Sequence, residues 1–193
     1  FKPLVMNTTF YNPPPVKLRS IVPTEIAEGY RTGLFHGEVH DENAYSLGGV
    51  TGHAGLFSTA EDLAVFSQMM LNGGIYGWMR IFKEKTIKLF TSKANVVEGS
   101  SRYLGWAQPG GFNPFGVYHG MNTFGHTGFT GTSMWIDPDN KMVVVLLTNA
   151  VHPKRNMKAP NYYDWGQRIH SAVYEAVGLK EKNPNLDWRK KWE

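Results

Sequence analysis

The segment Phe124-Gly125-His126-Thr127-Gly128-Phe129-Thr130-Gly131-Thr132-Ser133 carries the most information about the fold. Glycines flank a His-Thr pair at the start of a predicted strand, and that strand runs directly into a hairpin. Small residues at a sheet edge let a ligand backbone lie against it, with N–H groups directed at an anion or a carbonyl oxygen. His126 adds a titratable or hydrogen-bonding group beside that edge. The segment therefore predicts a strand that borders a binding cleft.

Two strands are predicted in and after this segment, over residues 131–136 and 142–148. They are joined by Asp137-Pro138-Asp139-Asn140, whose turn-forming residues favour a tight antiparallel hairpin. The second strand contains Val143-Val144-Val145-Leu146-Leu147, which is apolar at every position. A strand of that kind is buried on both faces, so we expect helices on both sides of the sheet.

Three helices are predicted around the sheet. The first follows Ser58-Thr59, where a capping box precedes apolar residues at helical spacing, and it ends at Asn72-Gly73-Gly74. A shorter helix covers 84–90, and a longer one follows Pro160 and is closed by Gly178. The apolar stripe expected to pack the last helix on the sheet is Trp165, Ile169, Ala172, Val173 and Ala176. The fold class is therefore α+β, an antiparallel sheet flanked by helices.

The other segments are predicted mainly as connections. Residues 1–30, with Pro13-Pro14-Pro15, are expected to cross the surface as extended chain, and the Gly-rich residues 31–57 are expected to form a structured loop without a helix. Tyr103-Leu104-Gly105-Trp106 predicts a short strand before the hairpin. Internal repeats are absent, and we expect no domain boundary within residues 31–178.

Composition excludes several classes of function. The net charge is +4, but the basic residues are scattered except at Arg189-Lys190-Lys191, so we expect no nucleic-acid partner. No window approaches 18 uninterrupted apolar residues, so we expect no membrane-spanning segment. The chain contains no cysteine, which removes disulfides and thiolate metal sites from consideration.

The segment His36-Gly37-Glu38-Val39-His40 is a candidate metal site, because its two histidines stand four residues apart. The helical zinc motif needs Glu directly after the first His, where Gly37 stands, and Gly and Val disfavour a helix in so short a stretch. We expect no metal and no cofactor. The alternative is a loop in which His40 and Asp41 hydrogen-bond backbone groups and hold its shape.

The glycines Gly49, Gly52 and Gly55 match neither the dinucleotide fingerprint nor the lysine-ended phosphate loop. They are interpreted as positions that need unusual dihedral angles or close approach. His53 lies among them, and the sequence leaves open whether its side chain is buried in the loop or faces a cleft.

The triplet His126-Thr127-Gly128 resembles the [K/H]-T-G motif of the penicillin-recognising serine hydrolases, with His126 in the place usually held by Lys. The similarity is to the branch of class C β-lactamases, D-alanyl-D-alanine peptidases and serine esterases. Residues 55–63 resemble its G-L-x-S-T-A-x-D-L helix start, and residues 103–106 resemble its strand before the triplet. Two further segments, 37–44 and 148–153, are similar to a penicillin-binding-protein-4B-like subgroup.

This resemblance implies a β-lactamase/transpeptidase-like fold and a set of site residues. His126 would assist electrostatically, Thr127 would bind a substrate carboxylate or carbonyl, and the N–H of Phe129, just after Gly128, would form half of an oxyanion hole. The further substrate-binding residues that it implies are Thr130, Asn149, His40 and His53.

The family's nucleophile lies in S-x-x-K, and a second proton-handling element has the form Y-x-N or S-x-N. This sequence contains neither pattern. We therefore expect residues 1–178 to be the C-terminal portion of such a domain, residues 179–193 to be a tail, and the chain alone to be inactive. Its expected partners are the N-terminal part of the same polypeptide and a peptidoglycan peptide, ester or β-lactam substrate.

The family's work in the cell envelope favours a periplasmic or otherwise extracytoplasmic location, and a chain without its N-terminal half is expected to self-associate. Histidine in place of Lys lacks a permanent positive charge for a β-lactam carboxylate, so esterase or peptidase action is favoured at least as much as β-lactam hydrolysis. The alternatives are a non-catalytic module that binds peptidoglycan or peptides, and an accessory domain of a larger cell-wall enzyme.

Overall fold

A computed structural model describes residues 1–92, 100, 102–108, 115–157 and 162–179. The strands are β1 (Phe10–Tyr11), β2 (Ile26–Ala27), β3 (Gly33–Leu34), β4 (Leu56–Phe57), β5 (Ile75–Tyr76), β6 (Met79–Arg80), β7 (Phe124–Thr127), β8 (Ser133–Asp137) and β9 (Met142–Leu146). The α-helices are α1 (Glu42–Ser46), α2 (Ala60–Leu71), α3 (Glu84–Thr91) and α4 (Tyr162–Ala176), and short 3-10 helices cover Lys2–Leu4, Pro15–Ser20 and Arg155–Met157. All but the first residue of the predicted tail 179–193 lies outside the described residues.

The main sheet is antiparallel, with strand order β7-β8-β9. Its register pairs Gly125 with Trp135 and Trp135 with Val144. The predicted hairpin is confirmed, and Asp137 organises its turn by accepting hydrogen bonds from the backbone and side-chain nitrogens of Asn140 at 3.1 and 2.8 Å. The α+β class is therefore confirmed.

Helices cover both faces of this sheet, as the apolar strand predicts. Val143 packs in the main core with Met69 and Met70 of α2, while the neighbouring Val144 packs with Tyr174 of α4. Successive side chains of a strand point to opposite faces, which explains the division. The burial is less complete than expected because β9 is the last strand in the order of the described sheet, and Val144 is the one buried residue of this strand.

The predicted helices are present, but α4 presents a different face to the sheet. Trp165 and Ile169 are 59% and 41% exposed, so the predicted apolar stripe is wrong for these residues. The helix instead buries His170 and Tyr174, whose side chains hydrogen-bond Ser133 at 2.9 Å and Asp137 at 2.8 Å. Buried polar groups require partners, so these two pairings determine how the helix is rotated.

The N-terminal residues are part of the core, which corrects their interpretation as surface connections. Leu4 and Met6 are buried in the same cluster as Met69. Thr8 and Thr9 donate hydroxyl hydrogen bonds to Asp62 in the first turn of α2, at 2.7 and 2.8 Å. The start of the chain is therefore attached to α2 by both apolar and polar contacts.

Two local predictions are also wrong. The loop 31–57 contains the short helix α1, which begins where the Asp41 carboxylate accepts a hydrogen bond from the Ala44 N–H at 2.8 Å. Residues 103–105 form a bend rather than a strand, because the ladder contacts are made by the flanking residues Arg102 and Ala107. The Gly-, Pro- and Phe-rich composition of residues 109–116 predicts a loop, of which residues 109–114 lie outside the described residues.

None of the helices in the described part of the chain is long and apolar enough to cross a membrane.

Candidate active site

Along β7 the backbone N–H and C=O groups of successive residues point alternately toward β8 and toward the outer edge of the sheet. Gly125 exchanges two backbone hydrogen bonds with Ala107, at 2.8 and 3.1 Å, on the side away from β8. Gly128, an odd number of residues later, instead donates toward the hairpin, to the Thr132 carbonyl at 2.8 Å. Because backbone groups alternate along an antiparallel strand, Thr127 directs its N–H and C=O to the same outer side as Gly125. The predicted triplet therefore borders the sheet edge.

Gly125 and Gly128 both lie where an added Cβ atom would meet a close neighbour. A Cβ atom on Gly125 would lie 2.1 Å from the Met134 carbonyl oxygen and 2.1 Å from the Trp135 ring. On Gly128 it would lie 2.2 Å from the Thr132 hydroxyl oxygen. Real Cβ atoms do not approach backbone this closely, so Gly125 lets β7 and β8 pack tightly, whereas a Cβ at Gly128 would displace the Thr132 hydroxyl.

His126 is oriented by two contacts. Its Nδ1 lies 2.7 Å from the Thr127 carbonyl oxygen, and its Nε2 lies 2.5 Å from a guanidinium nitrogen of Arg102. A carbonyl oxygen only accepts, so Nδ1 carries the proton, and Nε2 accepts from Arg102. Both side chains belong to exposed residues. Sequence reasoning missed Arg102, which lies 24 residues before His126 and outside any motif.

The turn after β7 is hydrogen-bonded to the segment that follows β9. The Thr130 carbonyl accepts a hydrogen bond from the Ala150 N–H at 2.7 Å, and the Gly131 carbonyl accepts one from the Thr148 hydroxyl at 2.7 Å. Asn149 donates its side-chain amide to the Pro23 carbonyl. Two of the predicted substrate-binding residues, Thr130 and Asn149, are thus brought into one polar scaffold.

The ring of Phe129 is contacted by the side chains of His40 and Arg155. Its ring, in a residue 60% exposed, stacks on His40 with centroids 5.4 Å apart and planes 21° apart. The Arg155 guanidinium carbon lies 5.7 Å from the centre of the same ring. The structure therefore brings His40 to the predicted oxyanion residue, through its ring.

Glu25 joins His40 and Arg155. One carboxylate oxygen lies 2.7 Å from His40 Nε2, and Arg155 donates its backbone N–H at 2.7 Å and its Nε at 2.9 Å. Burial opposes the charge on this carboxylate, which is 4% exposed, but the hydrogen bonds from Arg155 and His40 outweigh it and lower the pKa of Glu25. We call Glu25, His40 and Arg155 the clamp. The sequence contained no pattern that linked them.

The loop histidines have fixed partners. His36 Nε2 contacts the carbonyl oxygens of Leu18 and Ile21 at 2.9 and 2.8 Å, so this ring does hold the loop through the backbone. His40 differs from its expected role as a backbone-bonding loop residue, because its partner is the Glu25 carboxylate. His53 has an exposed side chain and pairs with Asp41 at 3.1 Å, whereas the described ring contacts of Phe129 involve His40 and Arg155.

Among the described residues, no group of three or more His, Asp or Glu side chains is arranged to hold a metal ion.

The sequence matches the family model described as Beta-lactamase over residues 1–167. The chain therefore belongs to the β-lactamase family. This agrees with the class defined by the sheet, the flanking helices and the His-Thr-Gly edge.

Curated relatives share this similarity over most of the chain. A protein of Escherichia coli (strain K12) named "Putative D-alanyl-D-alanine carboxypeptidase" is 40% identical over 188 residues, covering 86% of this chain and 42% of the relative. One of Salmonella gallinarum with the same name is 42% identical over 196 residues, covering 90% of this chain and 44% of the relative. The chain thus spans less than half the length of these relatives.

Solved structures support the same fold. A β-lactamase from Mycobacterium bovis aligns with a TM-score of 0.51 and 23% identity, over 70% of this chain and 54% of the other. A penicillin-binding protein homolog from Caulobacter crescentus aligns with a TM-score of 0.55 and 16% identity, over 91% and 50%. At these identities the likeness concerns the fold alone.

Proposed function

We propose that the chain is the C-terminal portion of a serine acyl hydrolase of the β-lactamase and D-alanyl-D-alanine carboxypeptidase type, and that its His-Thr-Gly strand forms one wall of the cleft. The observation that carries the proposal is the outward direction of the Thr127 backbone beside His126, at a turn closed by glycines. Family membership and the names of the curated relatives support it.

The reaction in this proposal is acyl transfer. A serine in a segment preceding Phe1 attacks the carbonyl carbon of a peptide, ester or β-lactam, and an acyl-serine ester forms as the leaving group departs with a proton. Water then hydrolyses the ester and releases the acid. The 193 residues of this chain contain no S-x-x-K, so the proposal requires the nucleophile to come from that segment. We call the joined polypeptide the parent.

Each residue of the wall has a role in this reaction. The Thr127 hydroxyl binds the carboxylate or carbonyl of the substrate, and His126 acts electrostatically beside it. The N–H of Phe129 donates to the carbonyl oxygen as negative charge develops there. One such donor contributes about 100-fold to 1000-fold in rate, so the placement of this turn affects the whole enzyme.

The names of the curated relatives suggest the substrate class. The curated relatives carry the name of a carboxypeptidase acting on D-alanyl-D-alanine, which favours a peptide of the peptidoglycan type over a β-lactam. An ester is the simplest substrate on which the acyl transfer can be measured.

The first experiment reads the coding sequence upstream of Phe1 and assays the products. We expect it to encode S-x-x-K and Y-x-N, the parent to hydrolyse p-nitrophenyl acetate, and the isolated chain to hydrolyse none. An upstream sequence without these patterns, together with an inactive parent that still binds an acyl-D-alanyl-D-alanine peptide, would favour the binding module instead.

A second experiment tests the wall. Thr127→Val in the parent should lower kcat/KM by about 10-fold, because one hydrogen bond to a charged or developing anionic group is lost. Thr91→Val is the matched control, because among the described residues the Thr91 hydroxyl donates to the Ile87 carbonyl within α3. Equal activity of the two variants would remove Thr127 from the site.

A further inference from the structure

The ring of His40 is held by three neighbours. Phe129 stacks on it with centroids 5.4 Å apart and planes 21° apart, and Phe35 meets it at a steep angle, with centroids 5.8 Å apart and planes 67° apart. The third neighbour is Glu25, which has a carboxylate oxygen 2.7 Å from His40 Nε2. Because a carboxylate only accepts, Nε2 carries the proton, and this hydrogen bond fixes both the tautomer and the orientation of the ring.

The backbone that carries His40 is held as well. Arg31 donates a hydrogen bond to the carbonyl of the preceding residue, Val39, at 2.8 Å. Its guanidinium carbon lies 3.9 Å from the centre of the Phe35 ring and 3.8 Å from the centre of the Tyr45 ring. Cations bind to aromatic faces at such distances. The loop therefore gives the His40 ring little freedom to leave its stack.

Glu25 links this loop to the other support of the turn after β7. Its carboxylate accepts the backbone N–H of Arg155 at 2.7 Å. The segment between β9 and Arg155 contacts the turn directly, because the Ala150 N–H donates to the Thr130 carbonyl at 2.7 Å. A carboxylate that is only 4% exposed thus joins the stacked ring and the segment after β9.

We propose that Glu25 is a positioning residue, which acts through the His40 ring to hold the Phe129 N–H where the oxyanion develops. This inference rests on the proposed function of the wall. An oxyanion donor contributes to the rate only if it is in place before the reaction, and a small displacement lowers the rate. Glu25 acts at a distance from the reacting atoms, so its loss affects the transition state more than substrate binding.

The first test is Glu25→Gln in the parent, with p-nitrophenyl acetate as substrate. We expect kcat to fall by about 10-fold while KM changes by less than about 2-fold, because an interaction made in the transition state is weakened. Phenylboronic acid forms a tetrahedral adduct with a serine hydroxyl, and its affinity should fall by a similar factor. Glu28→Gln, in an exposed pair with Lys154, is the matched control and should change none of these values.

A double-mutant cycle tests whether Glu25 acts through His40. His40→Phe keeps a ring for the stack but cannot donate to Glu25, so it should also lower kcat with little change in KM. Adding Glu25→Gln to His40→Phe should lower kcat by less than about 2-fold more, since the connection is already broken. Two full losses that multiply in the double variant would overturn the route through His40.

The remaining outcomes separate this inference from the proposed function. A folded Glu25→Gln variant with unchanged kcat, or with a loss confined to KM, overturns the positioning role while the hydrolase remains. A parent that hydrolyses no ester or peptide overturns the proposed function and this inference with it. Thermal melting shows which variants are folded at the assay temperature. If Glu25→Gln is not folded, His40→Phe alone decides, and full activity of that variant overturns the role of Glu25.

Discussion

The outer edge of the β7–β8 hairpin and the buried polar groups that support the hairpin differ in exposure and in how their polar side chains are paired. At the edge, Arg102 and His126 are exposed, and the side-chain contact described for Arg102 is the one with His126. Behind it, Glu25 and His170 are buried and each is hydrogen-bonded to a neighbouring element. Buried polar groups contribute to stability only when paired, whereas exposed charges contribute little to stability and remain free to bind. Substitutions on the two sides should therefore have different consequences.

The largest effect is expected at His170 in acid. Burial lowers the pKa of this histidine from its ordinary 6.5 to about 4. The unfolded chain therefore binds a proton that the folded chain does not, and stability falls as the pH drops from 6.5 toward 4, by up to about 3 kcal/mol. Urea unfolding of the parent at a series of pH values measures this slope.

Two variants isolate the contribution of His170 from that of the acidic groups, which also lose stability in acid. His170→Asn should flatten the slope between pH 6.5 and 4. Ile169→Asn, at the neighbouring and exposed position of the same helix, removes no titratable group and should leave the slope unchanged. Identical slopes in all three proteins would contradict the buried neutral state of His170.

The next effect is expected in the clamp. Glu25→Gln removes the charge that His40 and Arg155 share and should lower the free energy of unfolding by about 2 kcal/mol, since it leaves polar partners poorly satisfied inside the protein. Glu28→Gln is the matched control, because Glu28 is an exposed carboxylate paired with Lys154. Denaturation midpoints at pH 7 give both values. A Glu25 variant as stable as the control would show that the clamp is not a stabilising unit.

A smaller effect is expected on catalysis through His40. His40→Ala removes the ring that stacks on Phe129, so the oxyanion donor is less precisely placed, and kcat of the parent should fall by about 10-fold with little change in KM. His53→Ala should leave both constants unchanged, because the described ring contacts of Phe129 involve His40 and not His53. If His40→Ala raised KM instead, a direct substrate contact would replace the positioning role.

The smallest effect on stability is expected at the edge itself. Arg102→Gln should change the free energy of unfolding by no more than about 0.5 kcal/mol, the usual range for an exposed side chain. A loss of stability as large as that of Glu25→Gln would place Arg102 with the supporting groups and remove the contrast between the two sides.

Local patterns predicted much of this fold. The hairpin follows from four turn-forming residues between apolar runs, and α2 follows from Thr59 as N-cap and Asn72 at its end. Each depends on residues within a few positions of one another, so periodicity and capping suffice. The predicted orientation of α4 was wrong. Its apolar residues Trp165 and Ile169 were expected to face the sheet, but the buried face is the one whose side chains hydrogen-bond Ser133 and Asp137 of β8.

The sequence by itself determined the α+β class, the hairpin and the His-Thr-Gly edge, because hydrophobic period, turn residues and a short motif are local properties. Only the tertiary structure decided which charges meet. Arg102 approaches His126 from 24 residues away, and Arg155 reaches Glu25 from 130 residues away. The free energy of such pairs depends on distance and burial, which no local pattern records. The sequence of the triplet thus showed that His126 replaces the usual lysine, whereas only the structure showed that Arg102 lies beside it.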